Sequence, residues 1–294
     1  MSDKEKYVQF CSDKNNETEI PVFLQPFWLD AVAENWDVAI IINDGKVIAA
    51  LPYCWKGNLL TKRIYLPVVS FYQSVLFFTD ADKTTKQKLS EQLIQQLPKT
   101  VKSYFKFLPE HSAINLSKSA FTKEEYETYI ISNKHEINLS SNQKRNVQKG
   151  NKLNYVVKES KNSEASFTLL TSTFVRQNIK PKITLAEFKK LNTLVTKHQV
   201  GKTMDCYDEQ KNLLASAFVV EDVSTVYYLF GGYNTTYKSS GAMTFLLHFL
   251  IQDSIKRNLE FNFCGSSKKS IATYFAGFGA TPQTISIWKK GILS

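Results

Sequence analysis

Two stretches of the chain carry the same succession of local signals, and a chain that writes one α/β unit twice has few ways to bury its apolar residues. In the first, residues 36–57 (WDVAIIINDGKVIAALPYCWKG) hold two β-rich runs joined by Asn-Asp-Gly. Asp-Gly suits the positive φ angles of a tight hairpin turn. In the second, residues 202–233 hold three such runs, turning at DEQKN and EDVS. Each meander is followed by a helix-like segment and a short strand-like one: 82–98 and 101–108 in the first half, 239–258 and 259–265 in the second. The pattern predicts an α/β (α+β) chain of two tandem units, each a mixed, mainly antiparallel sheet flanked by helices. The expected division is 1–135 and 136–294.

Size and composition agree with this plan. The 294 residues are 43% hydrophobic and 13% aromatic, which is ample for two cores. No apolar run reaches the roughly 18 to 20 residues of a membrane span, and the opening MSDKEKYVQF lacks a secretory profile, so the expected location is the cytoplasm. The cysteines, Cys11, Cys54, Cys206 and Cys264, are scattered, and the histidines show no HxxxH spacing. Reduced thiols and no metal are the expectation.

Charge is distributed unevenly. Residues 1–135 carry 16 basic and 16 acidic side chains, whereas 136–294 carry 21 and 11, so the whole excess of +10 lies in the second half. That asymmetry suggests an anionic partner there.

Between the two copies, residues 140–157 (SSNQKRNVQKGNKLNYVV) open on serines that suit a helix start. Helical stretches are predicted at 163–178 and 184–199 on the spacing of their apolar residues. In the second copy, the polar loop NTTYKSSG lies between a strand and a helix and is longer than packing requires. A helix start leaves N–H groups unpaired. With Lys238, the hydroxyls of Ser239 and Ser240, and Gly241, which permits close approach of the backbone, this loop reads as a cradle for an anion. The alternative is that Ser239 only caps the helix and Gly241 only packs.

A strand ending in GGY, then loop, helix, strand, GSSKKSIATYFAGFGA and a last strand resembles the acyl-CoA-dependent GNAT acetyltransferases. It resembles more closely the Fem-type aminoacyl and peptidyl transferases, which look like two GNAT units in tandem. SSNQKRNVQKG is similar to the Fem-type stretch S-x-x-x-R-N-x-x-K, TFVRQN to the helix that follows it, and Phe278-Gly279 to the terminal Phe-Gly pair.

The resemblance implies acyl or aminoacyl transfer from an anionic carrier, acyl-CoA or aminoacyl-tRNA, to an amine or hydroxyl acceptor, with a cell-envelope or polysaccharide precursor among the acceptors it suggests. By the same resemblance, Tyr228, Gly231 and Gly232 line an opening beside the donor, Lys238 to Gly241 hold its anionic part, and Tyr274 protonates the leaving group. Lys144, Arg145 and Arg176 face the acceptor groove. The chain departs from the pattern at two places: Met243 stands where the GNAT loop has its second small residue, and Phe275 where Fem-type enzymes commonly carry a lysine. Two other readings stay open, a ligand-binding protein on the same fold without catalysis, and a nucleic-acid binder using the basic second half.

Overall fold

The computed structural model describes residues 1–13, 20–111, 113–134, 137–176, 180–237, 240–265 and 268–291, the side chains of Thr173, Val175 and Arg176 excepted. The chain divides into two compact units, Met1–Glu127 with Thr284–Ser294, and Thr128–Gln283. The sequence pattern places the division at 135/136 and keeps everything after it in the second unit. The difference lies in residues 128–135, which belong to the second unit, and in the last strand, which pairs with β5 of the first.

The first unit opens with helices α1 (Asp3–Ser12) and α2 (Pro26–Val32), then strands β1 (Asn35–Asn43), β2 (Lys46–Lys56), β3 (Arg63–Tyr65) and β4 (Leu76–Phe77). Helix α3 (Lys83–Gln95) and β5 (Lys102–Phe107) follow. Asp44 and Gly45 both have positive φ, 48° and 76°, so the expected Asp-Gly turn closes the β1–β2 hairpin. The strands run in the order β1-β2-β3-β5-β12, with β4 against β2. The last strand, β12 (Thr281–Gly291), pairs antiparallel with β5 from Ser286↔Phe107 to Gly291↔Lys102. Leu89, Leu93 and Ile94 of α3 join Leu51, Ile64, Phe105, Phe107 and Trp288 in the core.

The second unit takes in the end of β6 (Thr122–Ile131), then α4 (Ser141–Lys152), β7 (Val156–Glu159), α5 (Ser163–Arg176) and α6 (Leu185–Lys197). The meander β8 (Gly201–Tyr207), β9 (Leu213–Glu221) and β10 (Thr225–Tyr233) leads to α7 (Ala242–Lys256), β11 (Glu260–Asn262) and α8 (Lys269–Ala276). The order across the sheet is β6-β11-β10-β9-β8-β7. Among the pairings described in the two units, β3–β5 and β10–β11 are parallel and the rest antiparallel.

Side chains alternate across these strands, so β9 serves two layers. Ala215, Ala217 and Val219 belong to the core built by Leu246, Leu247, Leu250 and Ile251 of α7. Phe218, on the other face, meets Phe188 of α6 with ring centres 5.6 Å apart. On that face Asp205 is fully buried; its carboxylate accepts from Ser166 Oγ at 3.0 Å and from the Tyr207 hydroxyl at 3.1 Å. Among the described residues no helix is long and apolar enough to cross a membrane.

The helix expected at 239–258 begins later, at Ala242. Gly241 has φ +73°, a left-handed conformation that a helix cannot include. The N-cap is therefore Gly241, without a side-chain cap bond, and not Ser239.

Leu247 is fully buried at the centre of the α7 layer. Leu247→Ala should lower the unfolding free energy by about 2–5 kcal/mol, read as a shift of the urea midpoint with an unchanged slope.

Candidate functional site

The described residues after β10 are held by backbone bonds. Asn234 N–H donates to Leu214 O at 2.8 Å, a 3-10 turn spans Thr235–Tyr237, and Ser240 N–H returns to Tyr237 O at 2.9 Å. Helix α4 fixes the far end. The Tyr155 hydroxyl, just past α4, donates to Ser240 O at 3.1 Å, and Asn146 Oδ1 lies 2.8 Å from where a Cβ on Gly241 would be. A Cβ at Gly150 of α4 would lie 2.3 Å from the Phe245 ring, so the missing side chain is what lets α4 lie against α7.

At the start of α7 the first intrahelical bond is Phe245 N–H to Gly241 O. The N–H of Ala242 is taken by Ser240 Oγ at 3.2 Å. Those of Met243 and Thr244 have no acceptor within the helix, since the first turn supplies none, and the helix dipole adds partial positive charge there.

A cavity of about 370 Å³ opens at this point, lined by Asn146, Tyr233, Ser240, Gly241, Ala242, Met243, Thr244 and Tyr274. Every described side chain in its wall is uncharged at neutral pH. Tyr274 enters from α8, where Gln143 of α4 holds its carbonyl through an Nε2–H bond of 3.1 Å. Its hydroxyl shares a hydrogen bond of 3.0 Å with Thr244 Oγ1. Burial pushes the Tyr274 phenol well above its ordinary pKa, with Thr244 pulling weakly the other way, so the group keeps its proton throughout the neutral range.

Next to this cavity the parallel strands part. β10 and β11 are in register only at Thr225↔Glu260, Val226↔Phe261 and Tyr227↔Asn262. Beyond that, β11 ends: Asn262 Oδ1 accepts from Cys264 N–H at 2.8 Å, and Cys264 and Gly265 both turn with positive φ. β10 continues to Tyr233, bonded to β9 alone, with a bulge between Tyr228 and Phe230.

The residues singled out in the sequence fall into three groups. Ser240, Gly241 and Tyr274 come together around the cavity. Tyr228, Gly231 and Gly232 do not line it. The Tyr228 ring lies across Gly231, its hydroxyl 1.7 Å from the position of a Cβ there, and packs edge-on against Phe263 and Phe275. A Cβ on Gly232 would lie 1.7 Å from Leu169 O, so this glycine lets α5 approach the strand. Lys144 borders a separate hollow of about 390 Å³ with His248 and Lys256, and Arg145 is exposed. Lys238, Ser239 and the side chain of Arg176 lie outside the described residues.

Asn146 and Thr244 are cavity residues that the sequence reading passed over. The available signal was Gly150: a mid-helix glycine costs about 1 kcal/mol relative to alanine, and with Gln143 and Val147 it marks the face of α4 that is buried.

No protein-family model matches the sequence, and no curated protein matches it. Solved structures do match, over nearly the whole chain. The crystal structure of FemX superposes with TM-score 0.66 at 11% identity, covering 96% of this chain and 95% of that one. A tandem GNAT protein from the clavulanic acid biosynthesis pathway gives 0.50 at 11% identity, covering 99% and 96%. L-PGS from Bacillus licheniformis gives 0.55 at 10% identity, covering 84% and 82%. The chain therefore has the fold shared by FemX and the tandem GNAT protein.

Gly232→Ala forces a methyl group onto the backbone oxygen of Leu169. It should cost about 1–3 kcal/mol, measured by chemical denaturation, and Gly241→Ala should retract the first turn of α7, seen as faster amide exchange at residues 242–245.

Proposed function

We propose that the chain is an acyltransferase of the Fem-like, tandem-GNAT kind, which moves an acyl or aminoacyl group from a carrier to an amine or hydroxyl acceptor. The observation that carries this reading is the cavity at the start of α7, with free helix-start amides on one wall and the proton-bearing Tyr274 on another. Acyl transfer needs donors aimed at the oxygen that becomes negative and a proton for the departing group. The acceptor's nitrogen or oxygen attacks the carbonyl carbon and gives up a proton to solvent water, from which Tyr274 is reprotonated after it has served the leaving group. The N–H groups of Met243 and Thr244 face the developing oxyanion. As the bond to the carrier breaks, the Tyr274 hydroxyl passes its proton to the leaving oxygen or sulfur. The raised phenol pKa keeps the proton in place until transfer, so Tyr274 enters the reaction as the protonated partner.

The uncharged wall fits the acyl-bearing end of a carrier. The carrier's phosphates would need cations, and among the described residues the cavity wall holds none; Lys238, on the same loop, is the residue we assign to that task. The resemblance favours CoA or tRNA as carrier and a cell-envelope or polysaccharide precursor as acceptor; the cytoplasm is the site of action we propose.

A second reading, a binding protein on the same fold, is favoured by Phe275. Where Fem-type enzymes commonly have a lysine, this ring is buried and stacked on Phe263 with centres 4.3 Å apart, so no cation stands there to neutralise the reacting carbonyl.

Turnover assays with acetyl-CoA and with aminoacyl-tRNA, against amine acceptors, separate the two. Tyr274→Phe should lower kcat by about 100-fold or more with little change in KM. Turnover unchanged in Tyr274→Phe would remove this residue's role. Ligand binding without turnover for any carrier would favour the second reading.

A further inference from the structure

The loop joining β2 to β3 presents apolar residues to solvent on a rigid support. Leu59 is 89% exposed and Leu60 82%, and Val101, on the neighbouring loop before β5, is 55% exposed. The two loops are stitched together: Val101 N–H donates to Lys62 O at 2.9 Å, and Arg63 pairs with Lys102 across β3 and β5.

The tip is built to hold this shape. Asn58 Oδ1 accepts from the N–H groups of Leu60 and Thr61, at 3.0 and 3.1 Å, and from the Thr61 hydroxyl at 3.0 Å. Asn58 N–H in turn donates to Thr61 Oγ1 at 3.1 Å. Gly57, at φ +93°, lets the chain fold back so closely that a Cβ would lie 2.6 Å from Thr61 O. A turn with this many internal bonds spends them on directing two leucines outward, where water gains nothing from them.

Around the apolar tip stands a collar of cations. Residues 56–63 and 99–102 contribute Lys56, Lys62, Arg63, Lys99 and Lys102 and no acidic side chain. The Lys62 ammonium sits 4.1 Å above the half-buried Trp55 ring and that of Lys56 4.6 Å above Tyr65. Apolar side chains at the extremity, amphipathic rings behind them and basic groups at the level of the rings are the layers that a bilayer interface presents in reverse: acyl chains, interfacial region and anionic phosphates.

We infer that the 57–62 tip, with Val101 and its basic collar, is a peripheral attachment site for a membrane surface containing anionic lipid. Leu59 and Leu60 enter the boundary between headgroups and acyl chains, and the lysines and Arg63 meet lipid phosphates. This holds whether or not the chain transfers acyl groups.

Flotation of the full chain with vesicles tests it. Binding is expected to equimolar phosphatidylcholine and phosphatidylglycerol, weakened by added salt, and to be much weaker to phosphatidylcholine alone. The double variant Leu59→Asp/Leu60→Asp should lose binding. Lys62→Glu/Arg63→Glu should weaken it by about 25-fold or more, since each basic group near the surface contributes about fivefold. Both variants should remain folded: Leu59, Leu60 and Arg63 are exposed, and the charge-reversal pair should lower the melting temperature only slightly through the lost contact of Lys62 with the Trp55 ring. Lys190→Glu/Lys197→Glu on α6 alters net charge equally and should bind like the parent.

Three results would overturn the inference. One is no binding to the mixed vesicles. Another is an equal loss in the α6 control, which would mean the net charge alone is responsible. The third is a dimer in solution that Leu59→Asp/Leu60→Asp dissociates, which would make the tip a seat for a second copy.

Discussion

Everything proposed for the second unit depends on the way the first turn of α7 is held. A helix end exposes amides only if the chain enters it abruptly, and here the abruptness comes from one left-handed glycine, Gly241. That conformation persists because its neighbours leave no alternative. Asn146 occupies the space a side chain would need, Tyr155 ties down the carbonyl of Ser240, and Phe245 fills the gap left by Gly150. Helix α4 is thus the clamp that shapes the cavity. Through Gln143 it also grips α8, so the phenol of Tyr274 and the amides of α7 are referred to the same rigid element. The proposed transfer would need that common reference for the two groups, because a misplacement of about 1 Å can cost 100-fold in rate.

Much of this was legible in the sequence. The meanders, the Asp-Gly hairpin and the helices between the copies follow from periodicity and turn chemistry, and Tyr274 was marked by its place in a resemblance. The start of α7 was misjudged because Ser-Ser-Gly reads as a cap; the sign of φ at a glycine is a property of the fold, not of the residue. Tyr228 was expected beside an opening on the strength of the resemblance alone; its ring turns inward over Gly231, and burial raises its phenol pKa strongly. Lys144 and Arg145 were marked by the resemblance and by their charge, whereas the neighbouring Asn146 faces the cavity. Charge announces the solvated side of a helix, and the packed side is found from its small and apolar residues.

Long-range pairing was the least legible part. Nothing in the local signals of residues 281–291 says that they complete the sheet of the first unit beside β5. The repeated pattern assigned them to the second unit, with the segments that precede them. The bulge in β10 and the early end of β11 were equally hidden, since both depend on which strands lie side by side and not on the character of either one.

The return of β12 has a consequence for how the molecule is made. Phe107 leaves the ribosome long before its partner Ser286 exists. At about 5–20 residues per second, the edge of β5 waits on the order of ten seconds or more with its backbone groups unpaired. During that interval the nascent first unit offers a sticky border to any extended segment nearby. The second unit must therefore be synthesised, and can condense, before the first is closed, so that the earliest part of the polypeptide is the last to mature.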